Sequence, residues 1–581
     1  MAISWTVLPS APLEFLERFP ELPDIIAHLL YHREVRTQEA IDAFLNPDYG
    51  TDLHDPFLFR DMERAVERIF RARDAGERIV VYGDFDADGV CGATVLLDTL
   101  EALGCLATAY LPHREREGYG LHAGAIDELV AQGTRLIVTC DCGISNAAEV
   151  ARTHAVGVDV IVTDHHLVPT DPASGEPLLP AAYATLHPKL PGETYPYRDL
   201  TGGGVAFKFA CGLVKRDASR SDRRLPEGFE KWLLDCAAIA TVADFGPLIG
   251  ENRTLVTYGL VVLQKTRRLG LRALYEVAGI NPVKITPTTI GFQIAPRINA
   301  AGRLDHANEA LALLRSTDSV AARSYAEKLN ATNTERQRLV EAASIEAIAQ
   351  VGDVGDRRVL VVIGKQWLPG IVGLVASRVR EQFYRPTIAL THSDDKIVGS
   401  GRSIGGFNIV EALRFCAELL ECFGGHPQAC GLTLRDASIL DAFREKFEAY
   451  ARAHLTDEQL VPSLSVDAEI RLENINWELV ELLGKLGPFG VGNPTPRYLA
   501  RSVVVDSVQT MGNDGKHRKL LVHQGERKSQ RYKMVCFRYE NICPDVHVGD
   551  EVDVVVEVDV NEWNGNREIQ LKMVDLRLTI V

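Results

Sequence analysis

The sequence predicts an α/β protein: a doubly wound parallel sheet, joined by a long helix to a second α/β lobe, which an OB-like β-barrel follows. Three observations favour this fold. Short runs rich in Val and Ile alternate with helix-length segments early in the chain. A long stretch rich in Ala, Leu and Glu comes next, and the C-terminal part alternates polar and apolar positions, as strands of a small barrel do.

The composition is that of an ordinary globular protein with several domains. At 581 residues the chain is too long for a single core, and its 46% hydrophobic and 24% charged content is normal. It lacks an apolar run of about 18 residues, so we expect no membrane segment and no secretory signal. Eleven cysteines without a Cys-x-x-Cys pair favour a reducing, cytoplasmic location. The net charge of −16 argues against coating duplex DNA by charge alone but allows a local basic channel.

The pattern divides the chain into five segments. The third is free of Pro and Gly and is therefore expected to be a connecting helix. The last contains two alternating runs, Glu551–Val560 and Arg567–Leu578, around an Asn-Gly turn signal. We expect a helical N-terminal extension of the sheet domain at 1–77, the parallel-sheet domain at 78–305, the connecting helix at 306–350, the second α/β lobe at 351–457 and the barrel at 458–581.

Acidic residues follow the predicted parallel strands of the first domain. Three of these strands lead into Asp84, Asp141 and Asp164, and two histidines follow the last of these acids. In doubly wound sheets, ligands bind outside the carboxyl ends of the strands, so these side chains should converge at one edge. Carboxylates with one or two imidazoles suit Mn²⁺ or Mg²⁺ better than Zn²⁺.

So many carboxylates would repel one another strongly unless cations lay among them. We therefore predict two ions about 3.5–4 Å apart, with a bridging hydroxide that attacks a phosphate ester. The alternative for any one of these acids alone is a helix cap. Asp164 is expected to orient an imidazole from behind the ligands, and His166 to protonate the leaving oxygen or hold a phosphate. The predicted metal ligands are Asp84, Asp86, Asp88, Asp141, His165 and Asp244, and the predicted catalytic residues are Asp86, Asp88, Asp141, His165, His166 and Asp244.

Seven motifs in order make the chain resemble the DHH phosphoesterase superfamily and, within it, the RecJ single-strand-specific exonucleases. The resemblance covers nearly the whole chain, whereas Asp-His-His alone also marks pyrophosphatases and nucleotide phosphodiesterases. The motifs are Gly83-Asp-Phe-Asp-Ala-Asp-Gly89, Cys140-Asp-Cys-Gly143, Asp164-His-His166, Ala243-Asp-Phe-Gly-Pro-Leu248, Ala295-Pro-Arg-Ile-Asn-Ala-Ala-Gly-Arg303, Gly399-Ser-Gly-Arg-Ser403 with Gly424-Gly-His426, and Leu486-Gly-Pro-Phe-Gly-Val-Gly-Asn-Pro494.

The resemblance implies DHH and DHHA1 domains and degradation of single-stranded DNA to mononucleotides from the 5′ end, in recombination and repair, with Mn²⁺ or Mg²⁺. Polarity and the preference for DNA rest on the resemblance alone. One departure concerns the start of the second lobe, where RecJ-like proteins often carry Trp-His. Here Leu368 follows Trp367, so any role of that histidine would fall to His426 or Arg402.

Several side chains are candidates for holding the strand. Arg297 and Arg303 flank small residues that we expect to form a turn, which could bring both guanidiniums to one phosphate. Glycines beside Ser400 and Arg402 allow close approach of an anion, and the resemblance implies that these two residues and Arg114 bind the terminal 5′-phosphate. Surface arginines in ordinary turns are the alternative. The full set of candidates for phosphate or DNA binding is Arg114, Arg297, Arg303, Ser400, Arg402, Ser403 and His426.

The barrel sequence interleaves aromatic and basic residues, a composition typical of surfaces that bind single strands. Phe537 is expected in the core, and Trp563, beside the turn, on the surface. The predicted DNA contacts of the barrel are Lys516, Arg518, Lys519, Arg531, Tyr532 and Trp563.

The leading hypothesis is a two-metal 5′→3′ exonuclease for single-stranded DNA. The first alternative is a phosphodiesterase for short oligoribonucleotides or cyclic dinucleotides, which would need no barrel. The second is an inactive scaffold for replication, which would need no converging acids, and the third is an inorganic pyrophosphatase. We expect single-stranded DNA as the partner, consider a single-strand-binding protein and a helicase, and expect a monomer without membrane association.

Overall fold

The computed structural model describes residues 3–171, 174–393, 395–512, 515–525, 530–537, 539, 542, 546–563 and 565–579. They form two compact units. We call them the barrel unit, with bounds Met1–Asp48, Leu248–Gly250 and Pro462–Val581, and the two-lobed unit, with bounds Tyr49–Pro247 and Glu251–Val461. Among the described helices, none is both long and apolar enough to cross a membrane.

The N-terminal segment belongs to the barrel unit. It contains β1 (Ser4–Val7), α1 (Leu13–Arg18), α2 (Asp24–His32) and α3 (Gln38–Leu45). β1 pairs in parallel with Ser463–Val466, and the helices bury side chains such as Phe15 in one core with Val554 of the barrel. The prediction that residues 1–77 extend the sheet domain is therefore wrong for residues 3–48, because their apolar faces pack on the barrel.

The first lobe of the two-lobed unit is a parallel sheet between helices. Its elements begin with α4 (Met62–Asp74), β2 (Arg78–Tyr82), α5 (Ala87–Ala102), β3 (Leu106–Tyr110), α6 (Ala123–Ala131), β4 (Thr134–Thr139), α7 (Ala147–Ala155), β5 (Asp159–Thr163) and β6 (Ala184–Leu186). The strand order is β3-β2-β4-β5-β6, and every pairing is parallel. Val80, Ile137 and Ile161 are fully buried because helices cover both faces. The predicted doubly wound sheet is confirmed, and β2, β4 and β5 are adjacent.

Helices complete the first lobe and connect it to the second. They are α8 (Gly202–Ala218), α9 (Leu234–Ala243), α10 (Gly250–Gln264), α11 (Leu269–Ala278), α12 (Pro287–Thr289), α13 (Ala295–Leu304), α14 (Asn308–Arg315) and α15 (Ser319–Val351). A π-helix at Ile290–Ile294 leads into α13. The single connecting helix predicted at 306–350 is wrong, because the Asp318 side chain accepts a hydrogen bond from the Ala321 N–H and starts a new helix there.

The second lobe has a mixed sheet. Its elements are β7 (Leu360–Gly364), α16 (Val372–Phe383), β8 (Thr387–Ser393), β9 (Lys396–Arg402), α17 (Ile409–Phe415), β10 (Leu420–His426), β11 (Ala429–Leu434) and α18 (Leu440–His454). The strand order is β10-β11-β9-β8-β7, in which β7 and β8 pair in parallel and the other pairs are antiparallel. α15 packs against helices of the first lobe and against α16, so it ties the two lobes together.

The C-terminal part of the barrel unit closes into a ring of strands. Its elements are β12 (Ser463–Val466), β13 (Ala468–Glu469), α19 (Trp477–Leu486), β14 (Arg497–Met511), β15 (His517–Gln524), β16 (Tyr532–Phe537), β17 (Glu551–Trp563) and β18 (Asn566–Leu578). The order is β13-β14-β15-β16-β18-β17, and pairing of β17 with β14 closes the ring. This confirms the predicted OB-like barrel and its last hairpin, although Asn564 of the turn signal lies outside the described residues.

Candidate metal centre

The six predicted metal ligands come from loops and helix ends at the carboxyl edge of the parallel sheet. β2, β4 and β5 are neighbours in the parallel sheet, so the residues that follow them lie at one edge. Asp84 and Asp86 follow β2, Asp88 lies in the first turn of α5, Asp141 follows β4, His165 follows β5, and Asp244 ends α9.

These side chains meet within ligand distance of one another. The Nε2 atom of His165 lies 3.1 Å from Asp141 Oδ1, 3.5 Å from Asp244 Oδ2 and 3.7 Å from Asp88 Oδ2. A second group, formed by Asp84, Asp86 and Asp141, also has its ligand atoms within 4.8 Å of one another. Asp141 therefore joins two ligand groups, as a site for two bridged ions requires.

We call the six predicted ligand side chains the metal cage. Buried polar atoms without a hydrogen-bond partner show that this cage fits divalent cations. Asp84 Oδ1, Asp141 Oδ1 and His165 Nε2 are buried without a hydrogen-bond partner among the described residues. Buried polar atoms nearly always have a hydrogen-bond partner. Three such atoms without one in the same cage indicate a site for a cation, which accepts their lone pairs. Oxygen ligands with one imidazole are the set preferred by Mn²⁺ or Mg²⁺.

The electrostatics of the cage favour the same conclusion. Burial is the largest cause that raises the pKa of four cage acids, and repulsion from neighbouring carboxylates is the next. The pKa values of Asp84 and Asp141 lie well above the usual range, that of Asp88 is raised to about 6, and that of Asp244 to about 8. Burial, followed by a nearby imidazole, lowers the pKa of His165 to about 3, so its ring is neutral and free to bind a metal. Divalent cations would relieve the repulsion among the acids.

Glycines bring α8 against the cage. The N–H groups of Gly202 and Gly203, in its first turn, donate to the two carboxylate oxygens of Asp88 at 2.7 Å each. A Cβ on Gly202 would lie 2.5 Å from the Cβ of Asp141, so only glycine allows this approach. These glycines therefore let the start of α8 pack closely against the loop of Asp141 and hold Asp88 in place.

Asp164 lies behind the ligands. Its carboxylate accepts hydrogen bonds from the backbone N–H groups of Ile144, His165 and His166 and lies 2.8 Å from Nδ1 of His166. Burial opposes charge on His166, but the bond with Asp164 and nearby carboxylates raise its pKa to about 9. His166 is therefore a cation at neutral pH, oriented beside the cage.

Sequence reasoning missed Tyr119. Its hydroxyl donates to the backbone oxygen of Asp141 at 3.1 Å and lies 2.9 Å from Nδ1 of His166. The backbone of Asp141 has a φ of 62°, a conformation rare outside glycine, and this hydrogen bond helps to hold it. The available signal was an aromatic residue between Gly118 and Gly120 in a loop after a parallel strand.

A basic pocket opens beside the cage, between the two lobes. Its lining includes Arg114, Arg303, Ser400 and Arg402. The guanidinium of Arg402 donates to Ser400 Oγ at 2.9 Å, and that of Arg114 donates to the Gly302 carbonyl at 3.0 Å. Burial, and next the repulsion of Arg114, lowers the pKa of Arg303 to about 9. A bound anion would remove this repulsion.

Comparison with known proteins identifies the family. Family models for the DHH family N-terminal domain, the DHHA1 domain and the RecJ OB domain match residues 78–241, 356–453 and 466–575. A single-stranded-DNA-specific exonuclease RecJ from Bacillus subtilis (strain 168) is 38% identical over 95% of this chain and 67% of its own length. One from Dickeya dadantii (strain 3937) is 34% identical over 97% of this chain and 98% of its own length. The chain belongs to the RecJ family.

A solved RecJ structure has the same fold as this chain. RecJ from Thermus thermophilus in complex with Mn²⁺ matches with a TM-score of 0.83 and 30% identity, covering 100% of this chain and 80% of that one. A second crystal structure of that protein, in complex with Mg²⁺, matches with a TM-score of 0.78 and 28% identity over 100% and 79% of the two chains. The resemblance inferred from the motifs is thus confirmed.

In this RecJ family member, not all predicted phosphate-binding residues reach the pocket. The expected turn between Arg297 and Arg303 is wrong, because both residues lie on helix α13, where Arg297 donates to Asn330 Oδ1 at 3.0 Å. Ser403 directly follows β9 and is fully buried. Its hydroxyl donates to the Phe407 carbonyl at 2.6 Å, so it is used within the lobe and does not line the pocket.

His426 and Leu368 are the two positions of the second lobe that bear on the predicted role of a histidine. His426 is the last residue of β10, and its side chain is exposed. Its ring stacks on the ring of His166 with 6.3 Å between the centroids, so His426 lies close to the cage. Leu368, at the position where the resemblance leads us to expect a histidine, is 41% exposed shortly before α16. His426 therefore provides a histidine of the second lobe near the cage.

The residues of the RecJ OB domain that we predict to contact DNA differ in their exposure and in their contacts with other side chains. Lys516, just before β15, is exposed, and Lys519, on β15, is half-buried. Arg518 stacks on the ring of Tyr539 at 3.8 Å, and Arg531 lies 3.3 Å from an Asp506 oxygen. Tyr532 is half-buried against the barrel core, and the side chain of Trp563 lies outside the described part of the chain.

The prediction for Phe537 is wrong. Its ring is 48% exposed and lies 5.3 Å from the ring of His517, because the residue comes at the end of β16, beyond the closed part of the barrel. This places one exposed aromatic ring beside the basic residues of β15.

Proposed function

We propose that this RecJ family member is a two-metal 5′→3′ exonuclease that degrades single-stranded DNA to mononucleotides during recombination and repair. The single observation that carries the proposal is the cage, in which His165 Nε2 lies 3.1–3.7 Å from oxygens of three aspartates. The names of the matched relatives, which state single-stranded-DNA-specific exonuclease activity, support it. The two crystal structures of the Thermus thermophilus relative, one in complex with Mn²⁺ and one with Mg²⁺, also support it.

The cage would hold two Mn²⁺ or Mg²⁺ ions, which supply an activated water and positive charge for the phosphoryl oxygens. Asp84, Asp86, Asp88, Asp141, His165 and Asp244 are the proposed ligands. His166, kept protonated by Asp164, donates its proton to the 3′-oxygen that leaves phosphorus. The products are a nucleotide with a 3′-hydroxyl and a strand with a new 5′-phosphate.

The basic pocket would select the end of the strand. Arg114, Arg303, Ser400 and Arg402 are proposed to bind the terminal 5′-phosphate through charge-assisted hydrogen bonds. Because the pocket and the cage lie in one unit, the anchored phosphate would place the next phosphodiester at the ions. This arrangement would remove one nucleotide at a time from the 5′ end.

None of the three alternative functions is favoured. The match to RecJ relatives continues through the barrel, which neither a phosphodiesterase for short oligonucleotides nor an inorganic pyrophosphatase would need. An inactive scaffold would not retain a full ligand set with orphaned atoms. As finer parts of the proposal, we expect a cytoplasmic monomer that receives single strands from a helicase and a single-strand-binding protein. Sedimentation of the full chain with and without these partners tests that part.

Digestion of end-labelled single-stranded DNA across a Mn²⁺ titration tests the proposal. A 5′-labelled strand should release labelled mononucleotide at once, whereas a 3′-labelled strand should shorten gradually. Activity should require the metal and vanish in Asp141→Asn. Release of mononucleotides from the 3′ end, or cleavage of dinucleotides while long strands persist, would overturn the proposal.

A further inference from the structure

The end of helix α9, next to the metal cage, has an unusual cap. The N–H of Gly246 donates to the Thr241 carbonyl at 2.8 Å, and the N–H of Phe245 donates to the Val242 carbonyl at 3.3 Å. This pair of bonds defines a Schellman motif, whose left-handed position is usually glycine. Here that position is Phe245, with a φ of 56°.

Local structure does not explain this phenylalanine. A side chain with a Cβ is unfavourable in the left-handed conformation, and a bulky one is rarer still. Burial offers no compensation, because the Phe245 ring is 76% exposed. The residue follows Asp244 directly, so its ring projects from the backbone that carries one of the cage carboxylates.

A second exposed ring lies on the element packed against the end of α9. Phe292 is the middle residue of the π-helix and is 77% exposed, whereas Ile290 and Ile294 on either side are fully buried. A Cβ on Gly291 would lie 3.9 Å from Val242, so this element contacts the last turn of α9. π-Helices are rare in proteins, and those that occur are often found at functional sites.

We propose that Phe245 and Phe292 form a stacking surface for bases of the single strand next to the metal cage. Exposed aromatic rings bind unpaired bases of any sequence, because every base has a π-face. The occupant is single-stranded nucleic acid rather than a protein, since Phe245 directly follows the cage residue Asp244 and the element that carries Phe292 packs on the same helix end. The inference rests on the proposed function and adds base contacts near the cage to the phosphate anchor.

Phe245→Gly separates the effect of the ring from the effect of the left-handed backbone. Glycine accepts a φ of 56° without strain, so Phe245→Gly should leave the thermal stability of the full chain unchanged or higher. The same variant should raise KM for a 5′-phosphorylated strand about tenfold with little change in kcat, because stacking is lost. Phe292→Ala should behave alike, whereas Phe415→Ala, which removes a 49% exposed ring from α17, should change neither parameter.

Strands with one abasic residue provide the decisive measurement. For the wild type, moving the abasic residue along the first six nucleotides should raise KM at one or two positions only. Phe245→Gly should show no further increase at the position that depends on its ring. If the variant loses the same affinity on intact and abasic strands at every position, or if its KM on the intact strand is unchanged, the inference is wrong. A wild type that does not digest single strands would instead refute the proposed function.

Discussion

Arg402→Ala should remove much of the preference for a 5′-phosphorylated end. In the structure, the Arg402 guanidinium donates to Ser400 Oγ at 2.9 Å and to the Gly401 carbonyl at 2.7 Å. Its Nη2 lies 2.8 Å from where a Cβ on Gly373 would stand, and it lines the pocket. The proposed function assigns this nitrogen to an oxygen of the terminal phosphate.

The expected effect follows from the energy of that bond. A hydrogen bond to a charged group is worth about 1.5–3 kcal/mol, which corresponds to roughly a 10- to 150-fold loss in kcat/KM. The loss should affect a 5′-phosphorylated strand and spare a matched 5′-hydroxyl strand. The assay is the ratio of kcat/KM for the two strands in Mn²⁺, and it can be read even if overall activity falls.

Arg414→Ala is the matched control for this prediction. Arg414 lies in the same lobe but is exposed and paired with Glu411, so its removal should leave the ratio unchanged. If Arg402→Ala slows digestion of both strands equally, Arg402 does not bind the terminal phosphate, and the assignment of the pocket is wrong.

Two further predictions concern a hydrogen bond and a buried imidazole. Tyr119→Phe should lower kcat about fivefold and leave KM unchanged in steady-state digestion, because it removes the hydroxyl that contacts His166 and holds the Asp141 backbone; an unchanged kcat would refute this role. Burial, with nearby His32 as a smaller contribution, lowers the pKa of His28, whose Nδ1 accepts the Ala11 N–H. Since the unfolded state then binds the proton more readily, this part of the stability is present above about pH 6.5 and is lost as pH falls through the lowered folded-state value. Protection factors of the α2 amides, which compare the observed exchange rate with the intrinsic rate at each pH, should therefore fall below about pH 6.5 in the full chain, and His28→Gln should flatten this pH dependence; an equally steep dependence in the variant would contradict it.

Local patterns were enough to predict the parallel sheet and the acids at its edge. Val- and Ile-rich runs identify buried strands, and parallel order brings their carboxyl ends together, so Asp84, Asp141 and His165 could be grouped before any coordinates. The same pattern does not reveal Tyr119, because a loop side chain reaches the cage only through the course of the backbone.

Long-range packing explains the predictions that failed. β1 pairs with β12 from the other end of the chain, and no local signal in residues 3–48 indicates that partner. The small residues before Arg303 looked like a turn, but a Cβ on Gly302 would lie 2.2 Å from the Phe85 carbonyl oxygen. Glycine there serves close packing of a helix against the loop of the metal cage, which only the folded neighbour makes apparent.

Counting bound Mn²⁺ tests the central claim most directly. Electron paramagnetic resonance of free Mn²⁺, titrated with the full chain, should show two ions bound per wild-type chain, because two ligand groups share Asp141. Asp141→Asn, which keeps the volume of the side chain, should bind at most one ion, and weakly. A wild type that binds no Mn²⁺, or a variant that binds two ions as tightly as the wild type, would contradict the account.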